Sequence, residues 1–341
     1  SITDAQGMEQ AFIDLNLSSD LQRMVKHLSN RIGDDPQHRL LIDELKSAII
    51  ERDQNRVGLL LNQGLTEFGV LYPLVAIVRV WETIGTVFHT LGLDDETRLT
   101  TLNDINLWIA HHADSNNGER GLSRVFWVNR LLTARIVQFG RLQFEERLFP
   151  YPAVVYQDFG LDFIALSNGG LALDRDGYPT KDENRIIRTT MGRESIDLVS
   201  GSIGEERIDA SPLTKVLDEQ SRVLFIHIPA SGPLEPRLVE EALGKAEAFF
   251  GKKRAYVCTS WLLDPALEKV VDAGSNIRSF NRRFSKLPVF FEYPQLFERV
   301  FFCNDEASVL SADATTSLQK NVQKALQNGV VFRTMGGFFL R

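Results

Sequence analysis

The chain has 341 residues, 43% hydrophobic and 24% charged, with a formal net charge of −7. The length allows about two domains, and the composition is that of an ordinary globular protein with enough apolar material for sizeable cores. The negative balance argues against a nucleic-acid backbone or an anionic membrane surface as the main partner.

Residues 8 to about 138 read as helices. VGLLLNQGLTEFGVLYPLVAIVRVWETIGTVFHTLG carries apolar residues at helical spacing, interrupted near Pro73 and ended by Gly92. NDINLWIAHHA and LSRVFWVNRLLTARIVQFG continue the helical period, with Asp94-Asp95 and Asn116-Asn117-Gly118 at the joins. After Gly140 the period shifts towards two. RLQFEERLF alternates as a strand, with Leu142 and Phe144 on one face and Arg141, Gln143 and Glu145 on the other. The stretch 150–220 is rich in Gly, Asp and Pro and reads as an extended hairpin or an insertion.

RVLFIHI is an apolar run of the kind buried on both faces of a sheet. PRLVEEALGKAEAFFG is a helix, with Pro236 at its first position, a stripe of Leu238, Ala242, Leu243, Ala246 and Phe249, and Gly251 as its stop. RAYVCTS reads as a strand, DPALEKVV as a short helix and SNIRSFNRRFSKL as another strand. TTSLQKNVQKALQNG is a helix with a capping box from Thr316 to Gln319 and Gly329 as its stop, and VVFRTMGGFFLR closes the chain as one or two strands. The expected fold class is therefore α/β (α+β): a helical domain over 1–138, then a mixed sheet with flanking helices over 139–341.

Motif spacing excludes more than it finds. GxxxxGK[ST], HExxH, GxSxG and CxxC are all missing. His111 and His112 are adjacent and point in different directions on a helix, so no metal site is expected. Two cysteines, Cys258 and Cys303, make no disulfide framework, which favours a reducing, cytoplasmic compartment. No apolar run approaches the roughly 20 residues of a membrane-crossing helix, so no membrane is expected as a partner.

Several separate stretches resemble one bacterial family, acyltransferase-like proteins with an N-acyltransferase N-terminal domain and a GNAT-like C-terminal domain. They are TTLNDINLWI and GLSRVFW in the helical part, then GRLQFE, VLFIHIPASGPLEP, CTSWLLDPAL with SNIRSFNRRF, and TSLQKNVQKAL leading to FRTMGGFFL. The resemblance spans roughly residues 15–340 and is weakest over 150–220. It implies a two-domain N-acyltransferase that passes an acyl group from a coenzyme A thioester directly to an amine. Such chemistry needs a strand amide for the thioester oxyanion, a helix N-terminus for the pyrophosphate and a base for the ammonium proton. RVLFIHI would be the central strand, and Ile228, Ala230, Ser231 and Gly232 would face the donor. The loop departs from the family's usual Arg/Gln-x-x-Gly-x-Gly/Ala pattern: Pro233 and Pro236 remove N–H donors, and Glu235 adds negative charge.

Each candidate has a second reading. His227 is either the general base or a buried histidine bonded to backbone at a strand end. Glu145, with Gln143 beside it, either orients His227 or accepts the substrate amine, or else forms a structural ion pair with Arg141 or an arginine of SNIRSFNRRF. Ser260 either protonates the leaving thiolate or caps a helix. Trp261 walls a pocket or packs in a core. Arg278 and Arg283, with Arg282, grip phosphate or carboxylate, or form a solvated strand face. Asp104, one helical turn from Trp108, reads as a domain-interface feature. The alternatives to an acyltransferase are a binding or scaffold protein on the same fold and, less favoured, an ester or amide hydrolase using Ser231, Thr259 or Ser260. A carrier protein in place of free coenzyme A and a homo-oligomer are left open.

Overall fold

The computed structural model describes residues 2–182, 186–230, 232–252 and 254–341. The chain divides into two compact units, Ser1–Glu145 and Glu146–Arg341.

The first unit is helical from Ile2–Asp14 to Val125–Leu132 and ends in the hairpin of strands Ile136–Phe139 and Leu142–Leu148, the second of which runs on into the next unit. Local chemistry sets the helix starts. Asp35 caps Pro36–Ile50, Asp53 caps Gln54–Phe68 and Asp94 caps Asp95–Leu102, each accepting a backbone N–H of the first turn. Pro73 does not kink a long helix; it opens a new one, Tyr72–Arg79, where its missing N–H costs nothing. Gly64 is required by packing, because a Cβ there would collide with the buried Tyr72 ring.

The second unit holds two sheets packed face to face. One contains, in spatial order, strands Arg222–His227, Ala255–Ser260, Met335–Leu340 and Ser285–Leu287. The other has the order Ile203–Arg207, Glu194–Ile196, Phe163–Ser167, Ala153–Gln157 and Thr214–Leu217. Where the sequence suggests a hairpin or insertion over 150–220, the structure thus has a five-stranded antiparallel sheet with strands of three to five residues. Segments that short give no readable period. The core between the sheets joins Tyr151, Ala153, Val155 and Ala165 to Val223, Phe225, Val257 and Phe338. A second core gathers Leu267, Phe297, Val322 and Phe332.

The helix Pro236–Phe250 buries Val239, Ala242, Leu243 and Ala246 and links the parallel strands Arg222–His227 and Ala255–Ser260. Leu238 and Phe249 stay half-exposed at the margin of the expected stripe. The helix Ser317–Gln327 has the expected capping box from Thr316 and Gln319. One local reading is corrected and two are made specific. SNIRSFNRRFSKL is a helix, Asn276–Asn281, followed by the strand Ser285–Leu287, because Ser275 caps it and Ile277, Phe280 and Phe284 follow a helical period. DPALEKVV is a 3₁₀ turn, Pro265–Lys269, opened by Asp264. The chain closes as a single strand, Met335–Leu340.

Candidate functional site

The feature that organises the second unit is a parallel pair that stops early. Arg222–His227 and Ala255–Ser260 are in register at Leu224↔Tyr256 and Phe225↔Val257, and among the described residues no further pair follows. On its other edge, Ala255–Ser260 pairs with the closing strand along its whole length, from Ala255↔Leu340 to Ser260↔Met335. Arg254 and Arg341 exchange both backbone hydrogen bonds, so alternation turns the N–H and C=O of Ala255, Val257 and Thr259 towards the Arg222–His227 strand. Val257 lies within the register, and Thr259 lies beyond it. The carboxyl ends of the two strands therefore flank a gap into which the Thr259 backbone points.

Side-chain alternation decides what lines that gap. Val223, Phe225 and Val257 face the inter-sheet core, so His227 and Thr259 are on the same face. The half-buried His227 ring lies 4.8 Å from the Phe225 ring, and the Arg147 guanidinium lies 4.8 Å from Phe225 on that same ring. Tyr151 reaches this face as well. Its hydroxyl donates to the Cys258 carbonyl at 2.7 Å and lies 3.1 Å from Thr259 Oγ1, and burial pushes the phenol pKa well up. The ring sits over Gly336, the cross-strand partner of Thr259, where any Cβ would collide with it.

Ser260 turns to the opposite face from His227. It is buried, and its Oγ accepts the Leu262 N–H, capping the turn Trp261–Leu263. Trp261 packs against the second core, and its backbone N–H donates to Gln295 Oε1 at 3.2 Å. Arg278 lies 4.0 Å from Glu268, and Arg283 is ion-paired with Glu240 on the helix Pro236–Phe250. Glu240 also holds Arg341 at 2.6 Å, and Arg283, then Arg341, draws its carboxyl below the usual range. In the loop, Ile228 is half-buried, and Ala230 and Gly232 are exposed, with Gly232 at φ +73°. Ser231 lies outside the described residues. The helix that follows has no side-chain cap, and Arg237 occupies its first turn.

Gln143 and Glu145 belong to the first unit, and both are buried. Gln143 donates to Gln138 Oε1 at 3.4 Å across the hairpin. Glu145 is held by Arg130, whose Nη1 lies 2.9 and 3.2 Å from its two oxygens. Arg130, an arginine of the preceding helix, is thus an ion-pair partner of Glu145. Arg130 stacks 4.4 Å over Trp127, and the Trp127 and Trp108 indole N–H groups both donate to Asp104 Oδ2, at 2.8 and 3.0 Å. Asp104 is a bracket for two indoles within its own unit.

Two buried titratable groups stand apart from this gap. Asp264 accepts the N–H of Ala266 at 2.9 Å and of Arg333 at 2.7 Å, and burial raises its pKa to about 6. Lys286 donates to the carbonyls of Asn281 at 2.6 Å and Phe284 at 2.7 Å, and burial lowers its pKa to about 8. Among the described residues no cluster of His, Cys, Asp or Glu could hold a metal ion, and no helix is long and apolar enough to cross a membrane.

Sequence reasoning passed over Tyr151 and used Thr259 only as a conceivable nucleophile. A signal existed: Gly336-Gly337 sits inside a strand with no turn to explain it, which marks a close approach.

Residues 8–134 match the N-acyltransferase N-terminal domain and residues 136–339 the GNAT-like C-terminal domain. The chain belongs to the acyltransferase family built from these two domains. Among solved structures it is similar to an acyltransferase crystallised with CoA and 10C-teicoplanin, at 18% identity over 97% of this chain and 87% of that one, with a TM-score of 0.61. A mutant acyltransferase in complex with octanoyl-CoA gives 18% identity, 98% and 88% coverage and a TM-score of 0.61. At that identity the likeness establishes the fold. A search of the curated proteins finds no match.

Proposed function

We propose that the protein is an N-acyltransferase that moves an acyl group from a coenzyme A thioester to an amine by direct attack. The observation that carries this reading is the gap beyond Phe225↔Val257, with the Thr259 backbone directed into it. A thioester carbonyl laid there meets a fixed N–H donor where charge develops in the tetrahedral transition state. The amine nitrogen attacks the thioester carbon, and the C–N bond forms as the C–S bond breaks. His227, at the mouth of the gap, is the base that takes the ammonium proton. The Thr259 hydroxyl is on the same face and donates to Tyr151 Oη, and the departing thiolate is protonated from the imidazolium of His227.

The fit of this chain to the donor is partial. The uncapped start of the helix Pro236–Phe250 and Arg237 are suited to phosphate, whereas Pro236 lacks an N–H and Glu235 repels anions. Ile228, Ala230 and Gly232 form the described part of the donor loop. Coenzyme A itself, rather than a carrier protein, is the donor we favour, because the related acyltransferases above were crystallised with CoA and octanoyl-CoA. One of those structures holds 10C-teicoplanin, which supports a small-molecule acceptor for this chain too. Glu145 is fixed by Arg130 within its own unit, and Arg283 supports the helix Pro236–Phe250 through Glu240. A homo-oligomer is not needed for any of these roles.

The test is calorimetric titration of the intact chain with coenzyme A and with octanoyl-coenzyme A, followed by a thiol-release assay against a panel of amines. The expected result is saturable thioester binding, with His227→Ala lowering the acylation rate about 100-fold and leaving binding within about threefold. Thioester binding absent at every chain length tested would overturn the reading.

A further inference from the structure

The outer face of the five-stranded sheet carries a second site. The strand Ala153–Gln157 turns Ala153 and Val155 to the inter-sheet core, so Val154 and Tyr156 face the other way. Leu166, the cross-strand partner of Val154, joins them. These residues floor a pocket of about 310 Å³, rimmed by Asn168, Met191, Arg193 and Arg207. The volume is at the lower end of the roughly 300–1,000 Å³ typical of small-molecule sites. The inner face of the same sheet packs on Val223, Phe225 and Val257, so the pocket lies a sheet's thickness from the strand that bears His227.

The rim is built rather than incidental. Glu194 is buried, and its carboxylate accepts the Ser167 hydroxyl and the N–H groups of Met191 and Gly192, each at 2.8 Å. That clamp holds Gly192 at φ +94° and Arg193 at φ +67°, a left-handed conformation that a non-glycine side chain adopts at a cost. The Arg193 backbone is tied on both sides, its N–H donating to Ser167 and its carbonyl accepting from Ile208. Arg207 is placed by pairing with Glu194 across the strands.

The charges are uncommitted. In an acidic protein where Arg188 pairs with Glu205 and Arg333 with Asp174 and Asp176, neither Arg193 nor Arg207 has an ion pair among the described residues. Asp209 feels the Arg193 charge but forms no bridge with it. Two arginines lining one pocket with Val154, Leu166 and Tyr156 suit a planar anion with an apolar body. A bare inorganic anion would leave Val154, Leu166 and the Tyr156 ring unused.

We propose that the Val154–Tyr156–Leu166 pocket, with Arg193 and Arg207, is a binding site for a small organic carboxylate, separate from the acyl-transfer gap.

Met191 lines the pocket and is largely exposed, and it is one of four methionines, so its methyl signal in methyl-labelled full-length protein is a direct reporter. Met191→Leu identifies that signal. Titration with 3-phenylpropionate should move it saturably, while the neutral 3-phenylpropionamide and inorganic phosphate leave it in place. Arg207→Gln and Arg193→Gln should each weaken the effect about tenfold, as expected for loss of a charge-assisted contact. An equal response to the amide, a response to phosphate as tight as to the carboxylate, or an unchanged response in both arginine variants overturns the proposal. The readout needs no donor or acceptor, so it stands or falls independently of the acyl-transfer reading.

Discussion

A glycine and a tyrosine decide the shape of the proposed site at the scale of single residues. Tyr151 can place its hydroxyl against the Cys258 carbonyl and the Thr259 hydroxyl only because residue 336 has no side chain. Gly336→Ala should therefore push the buried ring out of place. Overpacking of this kind costs about 1–3 kcal/mol, which a urea denaturation curve would register as a lower midpoint with an unchanged slope. Tyr151→Phe should cost less, about 1 kcal/mol, since it removes one hydrogen bond and keeps the ring. A Gly336→Ala protein as stable as the parent would show that the ring has room to move, and the fixed position of Thr259 would lose its explanation. At this scale the sequence was partly legible. His227 stood out at the end of an apolar run, and the face it shares with Thr259 follows from alternation. The partner of Glu145 was not legible, because Arg130 lies on a helix whose packing no local pattern reports.

Among the elements, those with their own start and stop signals were readable. Pro236 and Gly251 bracket one helix, and the Thr316 capping box opens another. The segment 275–284 was misread because six helical residues hold too few turns for a period to emerge against aromatic and basic residues that also suit strands. The turn after Thr259 is held by Ser260, whose Oγ accepts the Leu262 N–H. Replacing Ser260 with Ala should cost about 1 kcal/mol in denaturation, the usual worth of such a cap. Its effect on the acylation rate should stay below about threefold, because its side chain points away from the face of His227. A loss of rate far beyond the loss of stability would instead make Ser260 part of the chemistry.

For the whole molecule, Asp264 and Lys286 give folding stability two opposed dependences on pH. Burial holds the Asp264 pKa at about 6, above the ordinary 3.8, so the folded state keeps a proton that the unfolded state has lost between those values. Its contribution is complete below pH 4 and disappears as pH rises to 6. Lys286 has its pKa depressed to about 8 from 10.5, so in that window the unfolded state binds the extra proton. Its contribution is present above pH 10.5 and is lost as pH falls through 8. Each displacement corresponds to a swing of about 3 kcal/mol. Urea titrations of the parent and Asp264→Asn across pH 4–7 should show a fall in the parent that the variant lacks. Parallel curves would mean that Asp264 titrates normally.

The bracket that Asp104 makes for two indoles has an optical consequence. The chain has four tryptophans, of which Trp81, Trp108 and Trp127 are in the first unit and Trp261 is in the second. With ring centres 5.6 Å apart and their N–H groups tied to one oxygen, Trp108 and Trp127 are close enough to share excitation. They should give a coupled band in the circular dichroism spectrum that Asp104→Ala abolishes. Trp261→Phe would leave an emission spectrum that reports the helical unit alone, so the melting of the two units can be followed separately in the intact chain.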